Sequence, residues 1–168
     1  MPRRTVLMIV GVAAAIALAT TLWMMLRGDD PKAEIQAVID RTVEAAENKE
    51  IGTILEAVSD DFSGHGMDRK ELRRMIFALI HRSQWRRIFV TGTDIELQSD
   101  DRARVTTGAV MARGNDVKTI EQAALQTRTD TLRFDIGFKK EGGDWKVYRI
   151  NYRRVAPQDL LEGVLPGR

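Results

Sequence analysis

Between Leu72 and Val90 the chain changes its period. Leu72, Met75, Ile76, Leu79 and Ile80 recur at i, i+3, i+4, i+7 and i+8, the stripe of an amphipathic helix. From Trp85 the apolar residues alternate instead, with Ile88 and Val90 followed by Ile95 and Leu97. A helical stripe cannot sit as a strand face, nor a strand face as a stripe. Helices therefore come first and strands after, which gives an α+β layout: helices segregated to one face of an antiparallel sheet.

The helical half contains three elements. Asp30-Pro31 supplies an N-cap and a first-turn proline, and Ile35, Val38, Ile39, Val43 and Ala46 define a helix over about 31–48. Ile51, Ile54, Leu55 and Val58 mark a shorter second helix. Asp68 and Glu71 form a capping box at the start of the third, whose opposite face is basic with Arg69, Lys70, Arg73 and Arg74.

In the second half, a strand from Trp85 breaks near Gly92, Asp100-Asp101 turns, and another strand runs from Arg102 to about Ala112. Val117–Thr129 reads equally as a loop, a short helix around 120–125, or an early strand. Leu132, Phe134, Ile136 and Phe138 alternate cleanly, and Glu141-Gly142-Gly143-Asp144 is hairpin chemistry. In the return strand Trp145 and Val147 share one phase, Ile150 and Tyr152 the other. Such a shift implies a bulge or a strand covered on both faces.

Thr5–Leu26 is 22 residues without a charge. At 1.5 Å per residue such a helix reaches ~33 Å, enough for a ~30 Å hydrocarbon core. Ala17-Leu18-Ala19 has the shape of a signal-peptidase site, but the apolar run continues through Trp23 and Leu26 where a cleaved leader would turn polar. We expect an uncleaved single-pass anchor. Arg3 and Arg4 precede it, so the N-terminus is expected inside and the domain outside, in a bacterium the inner membrane and periplasm. The expected organisation is a cytoplasmic stub 1–4, a span 5–26, a linker 27–30, a domain 31–155 and a tail 156–168. The tail keeps Leu160, Leu161, Val164 and Leu165 for docking on the domain or on a partner.

Charge and cysteine usage exclude several functions. Residues 1–28 hold three arginines and no acid, which leaves 23 basic and 24 acidic side chains for the rest. A domain with that balance lacks the basic excess of a nucleic-acid binder, and none is expected as a partner. Cysteine is absent, so disulfides, thiolate metal sites and cysteine nucleophiles are absent too. His65 and His81 stand apart, with no metal-ligand spacing, and no cofactor motif occurs; neither metal nor cofactor is expected.

The stretches AAENKEIGTILEAVSDDF, MDRKELRRMI and EGGDWKV, in this order, make residues 31–155 resemble the nuclear transport factor 2-like superfamily, which includes ketosteroid isomerase and SnoaL-like cyclases. The resemblance implies a curved sheet wrapped around a long helix, a cone with a pocket, and a homodimer through the outer sheet face. The resemblance also offers a specific version of an anchored binding domain, since bitopic assembly proteins of type IV secretion machines place a similar domain outside the inner membrane; here the inner tail is only four residues. The catalytic positions of the isomerases do not carry over. Their base would fall at Gly66, and their oxyanion-hole tyrosine at Thr42.

The candidate general bases are accordingly His65, in the glycine-flanked loop Ser63–Gly66, and Asp61. Expected pocket-lining residues are Ile39, Val43, Phe62, Met75, Leu79 and Phe134. The basic set Arg69, Lys70, Arg73, Arg74, Arg82, Arg86 and Arg87 reads as a solvated face rather than a headgroup site. From sequence the first expectation is a non-catalytic domain that binds a protein partner or a small apolar ligand. The alternative is an isomerase, dehydratase or cyclase using a pocket His or Asp.

Overall fold

A computed structural model describes residues 30–82, 85–113, 117–124 and 129–161. The expected membrane span, residues 5–26, lies outside them. Among the described residues no helix is long and apolar enough to cross a membrane.

The first helix, α1 (Pro31–Asn48), is closed at both ends by local chemistry. The Asp30 carboxylate accepts from the Lys32 backbone N–H at 3.0 Å, and Lys49 ends the helix in a left-handed conformation. A short α2 (Ile51–Glu56) follows. The chain then makes a two-stranded hairpin, β1 (Ser63–Gly64) and β2 (Met67–Asp68), before α3 (Arg69–Arg82). The expected capping box is present: the Asp68 carboxylate accepts from Glu71 N–H at 2.7 Å, and Glu71 returns the contact to Asp68 N–H at 3.2 Å.

Four antiparallel strands come next in simple meander order: β3 (Trp85–Ser99), β4 (Arg102–Arg113), β5 (Asp130–Glu141) and β6 (Asp144–Arg154). The break expected near Gly92 is instead a bulge inside one continuous strand. Register shifts between Thr91 and Asp94, and Gly92 takes φ 57, which needs no side chain. In β6, Gly137 pairs with Arg149 but Phe138 pairs with Val147, so Tyr148 is an extra residue. That bulge is the phase shift seen in the sequence. It turns Val147, Ile150 and Tyr152 to the same side of the sheet. Of the three readings open for residues 117–129, the described part is a short helix, α4 (Ile120–Ala124).

Strand alternation then sorts the sheet into two faces. The inner face carries Ala103 and Val105 of β4, Phe138 of β5 and Trp145 of β6, which pack with Ile35 and Ile39 of α1. The outer face carries Val110 and Ala112, packed with Val117, Ala123 and Leu160. Leu160 belongs to α5 (Pro157–Leu161), so the start of the sequence's tail docks on the domain.

The segment joining α2 to the hairpin is laced to the sheet edge. Val58 bridges Val147 in parallel, and Ser59 N–H donates to the Val147 carbonyl at 2.9 Å. The fully buried Ser59 hydroxyl donates to Glu141 at 2.9 Å and accepts from Asp61 N–H at 3.0 Å. Lys139 closes the group, 2.9 Å from Asp61 and 2.5 Å from Glu141. Hydrogen bonds from Lys139 hold both carboxyls below the ordinary range, and both acids raise Lys139. Carboxyls held low stabilise the fold above their unfolded values, near 3.8 and 4.5 here, and lose that contribution as acid titrates them. The raised lysine acts at the other end, losing its share only above about 10.5. Stability of Lys139→Met, followed by urea unfolding, is therefore expected to fall less than wild type between about pH 5 and about pH 3. Parallel curves would count against this linkage.

Gly64 gives a steric prediction. A Cβ there would meet the backbone oxygen and nitrogen of Ile150 at 2.7 and 2.8 Å, so the hairpin would have to lift off β6. Gly64→Ala should cost ~1–3 kcal/mol in denaturant unfolding. Gly52→Ala, in α2 with open space around it, should be neutral or mildly stabilising.

Candidate functional site

The inner face of the sheet is longer than the helices can cover. Where Ile35 meets Val105 and Phe138 the packing is closed, and all three side chains are fully or almost fully buried. Farther along α1 a cavity of about 420 Å³ opens between α1, α3 and the four strands. Its size is in the ordinary range for small-molecule sites, and such sites are mostly apolar with a few placed polar groups.

Ile39, Val43, Phe62, Met75, Leu79 and Phe134, the six residues expected to line a pocket, all stand in its wall. Each comes from a repeating pattern: the α1 stripe, the α3 stripe, and the inward phase of β5. Leu79 is also 43% exposed, so the wall reaches the protein surface at α3. Most of the wall's hydroxyl groups are turned to the backbone. Thr42 donates to the Val38 carbonyl at 2.7 Å, within its own helix. Thr107 donates to the Thr91 carbonyl at 3.2 Å and shares a 2.9 Å contact with the Thr93 hydroxyl.

The two candidate bases are placed elsewhere. His65 sits exposed at the hairpin tip with φ 54, its ring stacked 4.8 Å from Tyr152. Tyr152 is in the cavity wall; His65 is not. Asp61 is exposed and bound to Lys139 in the Ser59 group, also outside the wall. Asp135 lies on the outer face, where a two-pronged contact with Arg104 holds its carboxyl below the usual range. Hence none of His65, Asp61 and Asp135 stands in the cavity wall.

What sequence reading missed is an ionisable pair in the wall itself, Asp130 and Arg154. Asp130 lies 3.8 Å from Arg154 and 3.7 Å from Arg113. The signal was available: Asp130 precedes Leu132 by two and Arg154 follows Tyr152 by two, so both share the inward phase. Among the described wall residues, these two and the Tyr152 phenol are the only groups that ionise.

The basic helix face is largely engaged. Arg69 contacts Asp60 at 3.1 Å and the Leu55 carbonyl at 3.3 Å, and Arg87 lies 3.7 Å from Glu47. Arg74 lies 3.9 Å from Glu71, while Lys70 and Arg73 line a shallow cleft against α2. The side chains of Arg82 and Arg86 lie outside the described residues. Among the described residues no group of His, Asp and Glu is arranged to hold a metal ion.

No family model and no curated protein matches the sequence. Solved structures are similar in fold. An NTF2-like protein of unknown function from Pseudomonas putida is 15% identical, with a TM-score of 0.59 over 71% of this chain and 83% of that one. LinA is 14% identical, with a TM-score of 0.57 over 74% of this chain and 85% of its own. Bd1075 of Bdellovibrio bacteriovorus is 16% identical, with a TM-score of 0.58 over 76% of this chain. The match spans only 42% of Bd1075. These likenesses establish that the chain has the nuclear transport factor 2-like fold.

Proposed function

We propose that this chain is a membrane-anchored, extracytoplasmic binding protein whose cavity holds a small apolar ligand without transforming it. The observation that carries the reading is the chemistry of the cavity wall. Aliphatic and aromatic side chains line it, its two threonines are bonded within the protein, and its one carboxylate stands between two arginines. General-base catalysis needs a proton acceptor within hydrogen-bond reach of the substrate, held by a second group. His65 and Asp61 stand outside the wall, and Asp130, the carboxylate in it, faces Arg113 and Arg154. Apolar burial is what such a surface offers, at ~25 cal/mol per Å². The uncharged stretch 5–26 supports the anchoring half of the reading.

Binding is tested with the full-length chain in phosphatidylcholine nanodiscs and the neutral fluorophore N-phenyl-1-naphthylamine, with empty nanodiscs subtracted. Saturable binding at one site is expected, weakened at least about tenfold by Met75→Trp, which fills the cavity from α3. Binding that never saturates, or that ignores the substitution, would sink the proposal. The anchoring half has its own measurement. The chain should stay in carbonate-washed membranes, and deletion of residues 5–26 should release it; retention of the deleted form would refute the anchor.

A further inference from the structure

The cavity differs in chemistry from end to end. Along β5 the inward residues run from Phe138 to Asp130, and antiparallel register carries each row across the sheet. Phe138 lies opposite Ala103 and Val147. Asp130 lies opposite Met111, which in turn lies opposite Ile88, and the neighbouring Leu132 lies opposite Arg154. At ~3.4 Å per residue the two outermost rows are ~27 Å apart along the strand. The first row is closed, with Phe138 almost fully buried. The Asp130 row and the Leu132 row beside it hold the two charged groups among the described wall residues, and the Arg154 side chain there is 85% exposed. An apolar cavity with charge at one end has the polarity of an amphiphile.

We propose that the ligand is a single-chain amphiphile whose alkyl chain lies along the cavity and whose anionic, carboxylate-type head sits at Arg154. The proposal rests on the cavity being a ligand site, and adds the class of ligand. Arg113 and Arg154 flank Asp130 at this end, and Arg87 pairs with Glu47 beside Ile88, so three guanidinium groups face two carboxylates and the local balance is positive. The separations of Arg113 and Arg154 from Asp130, 3.7 and 3.8 Å, exceed hydrogen-bond length. A guanidinium has five donors in a planar fork, so Arg154 can take a ligand carboxylate in bidentate fashion while staying near Asp130. A cationic head would meet two like charges. A neutral head would gain the apolar burial and no charge-assisted bond.

The experiment compares decanoate, decanol and decyltrimethylammonium as competitors of the neutral fluorophore, at pH 8, on the same full-length chain in nanodiscs with empty discs subtracted. Decanoate should displace the probe at about tenfold lower concentration than decanol, with the cation weakest. Arg154→Gln should bring decanoate down to the level of decanol, and Asp130→Asn should strengthen decanoate relative to decanol. Equal displacement by decanoate and decanol, or a preference that survives Arg154→Gln, overturns the head-group assignment while cavity binding stands. Failure of the fluorophore itself to bind removes the ligand site, and this proposal with it.

Discussion

The fold depends on how the first turns of α1 are fastened to the far end of the sheet. Ile35 is wholly buried against Val105, Phe138 and Trp145, and each such side chain stabilises by ~1.5–3 kcal/mol. Glu34, one residue earlier, accepts a 2.7 Å hydrogen bond from the Trp145 indole and lies 3.3 Å from the Lys140 ammonium. Apolar contact and a charge-assisted bond thus fix the same point. Once that end is fixed, the direction of α1 is set, and its later turns cross a sheet that is bending away. The bulges at Gly92 and Tyr148 supply the bend. The cavity is the space left between the later turns of α1, α3 and the inner face of the sheet.

The same alternation that builds the core decides which acids face the cavity. In β5 the inward positions are Leu132, Phe134, Ile136 and Phe138, so Arg133 and Asp135 must face outward. There Asp135 finds Arg104 of the adjacent strand, while Arg133 reaches the Asp159 carbonyl of α5. Asp61 and Glu141 converge on Lys139 for a similar reason. They lie beside the laced edge of the sheet, where the connecting segment runs and charges stay accessible to water. The polar groups of this domain are spent on fastening pieces together at its surface. Asp130 and Arg154 depart from that pattern because they occupy the last inward positions of their strands, where the sheet face reaches solvent.

Fold and wall were legible wherever a repeat spacing was unbroken. The stripes of α1 and α3 and the alternation of β5 each named residues that stand in the cavity wall. What escaped was of two kinds. The first depended on register: that Gly92 marks a bulge within a strand follows from how β3 pairs with β4, which spacing alone does not contain. The second depended on where an element stops. Asp130 and Arg154 read as strand termini, and charged termini look like solvent. His65 drew attention by its residue type and glycine neighbours, yet those glycines serve the backbone. Gly64 lets the hairpin lie against Ile150, and His65 and Gly66 both take positive φ to turn the chain.

The size of the cavity bears on its contents. The cavity, about 420 Å³, reaches the surface at α3, so its apolar wall is met either by water or by a ligand. Water is a poor substitute along most of its length. A buried water needs two to four polar partners, and from Phe138 to Leu132 the inward residues of β5 offer none. Only the end near Asp130 and Arg154 can hydrate well. In the proposed complex a ligand with an apolar body covers wall that water cannot pair with, and its polar end lies where Arg154 is open to solvent. On the proposed reading, the gap between α1 and the sheet leaves an apolar wall for the body of the ligand to cover.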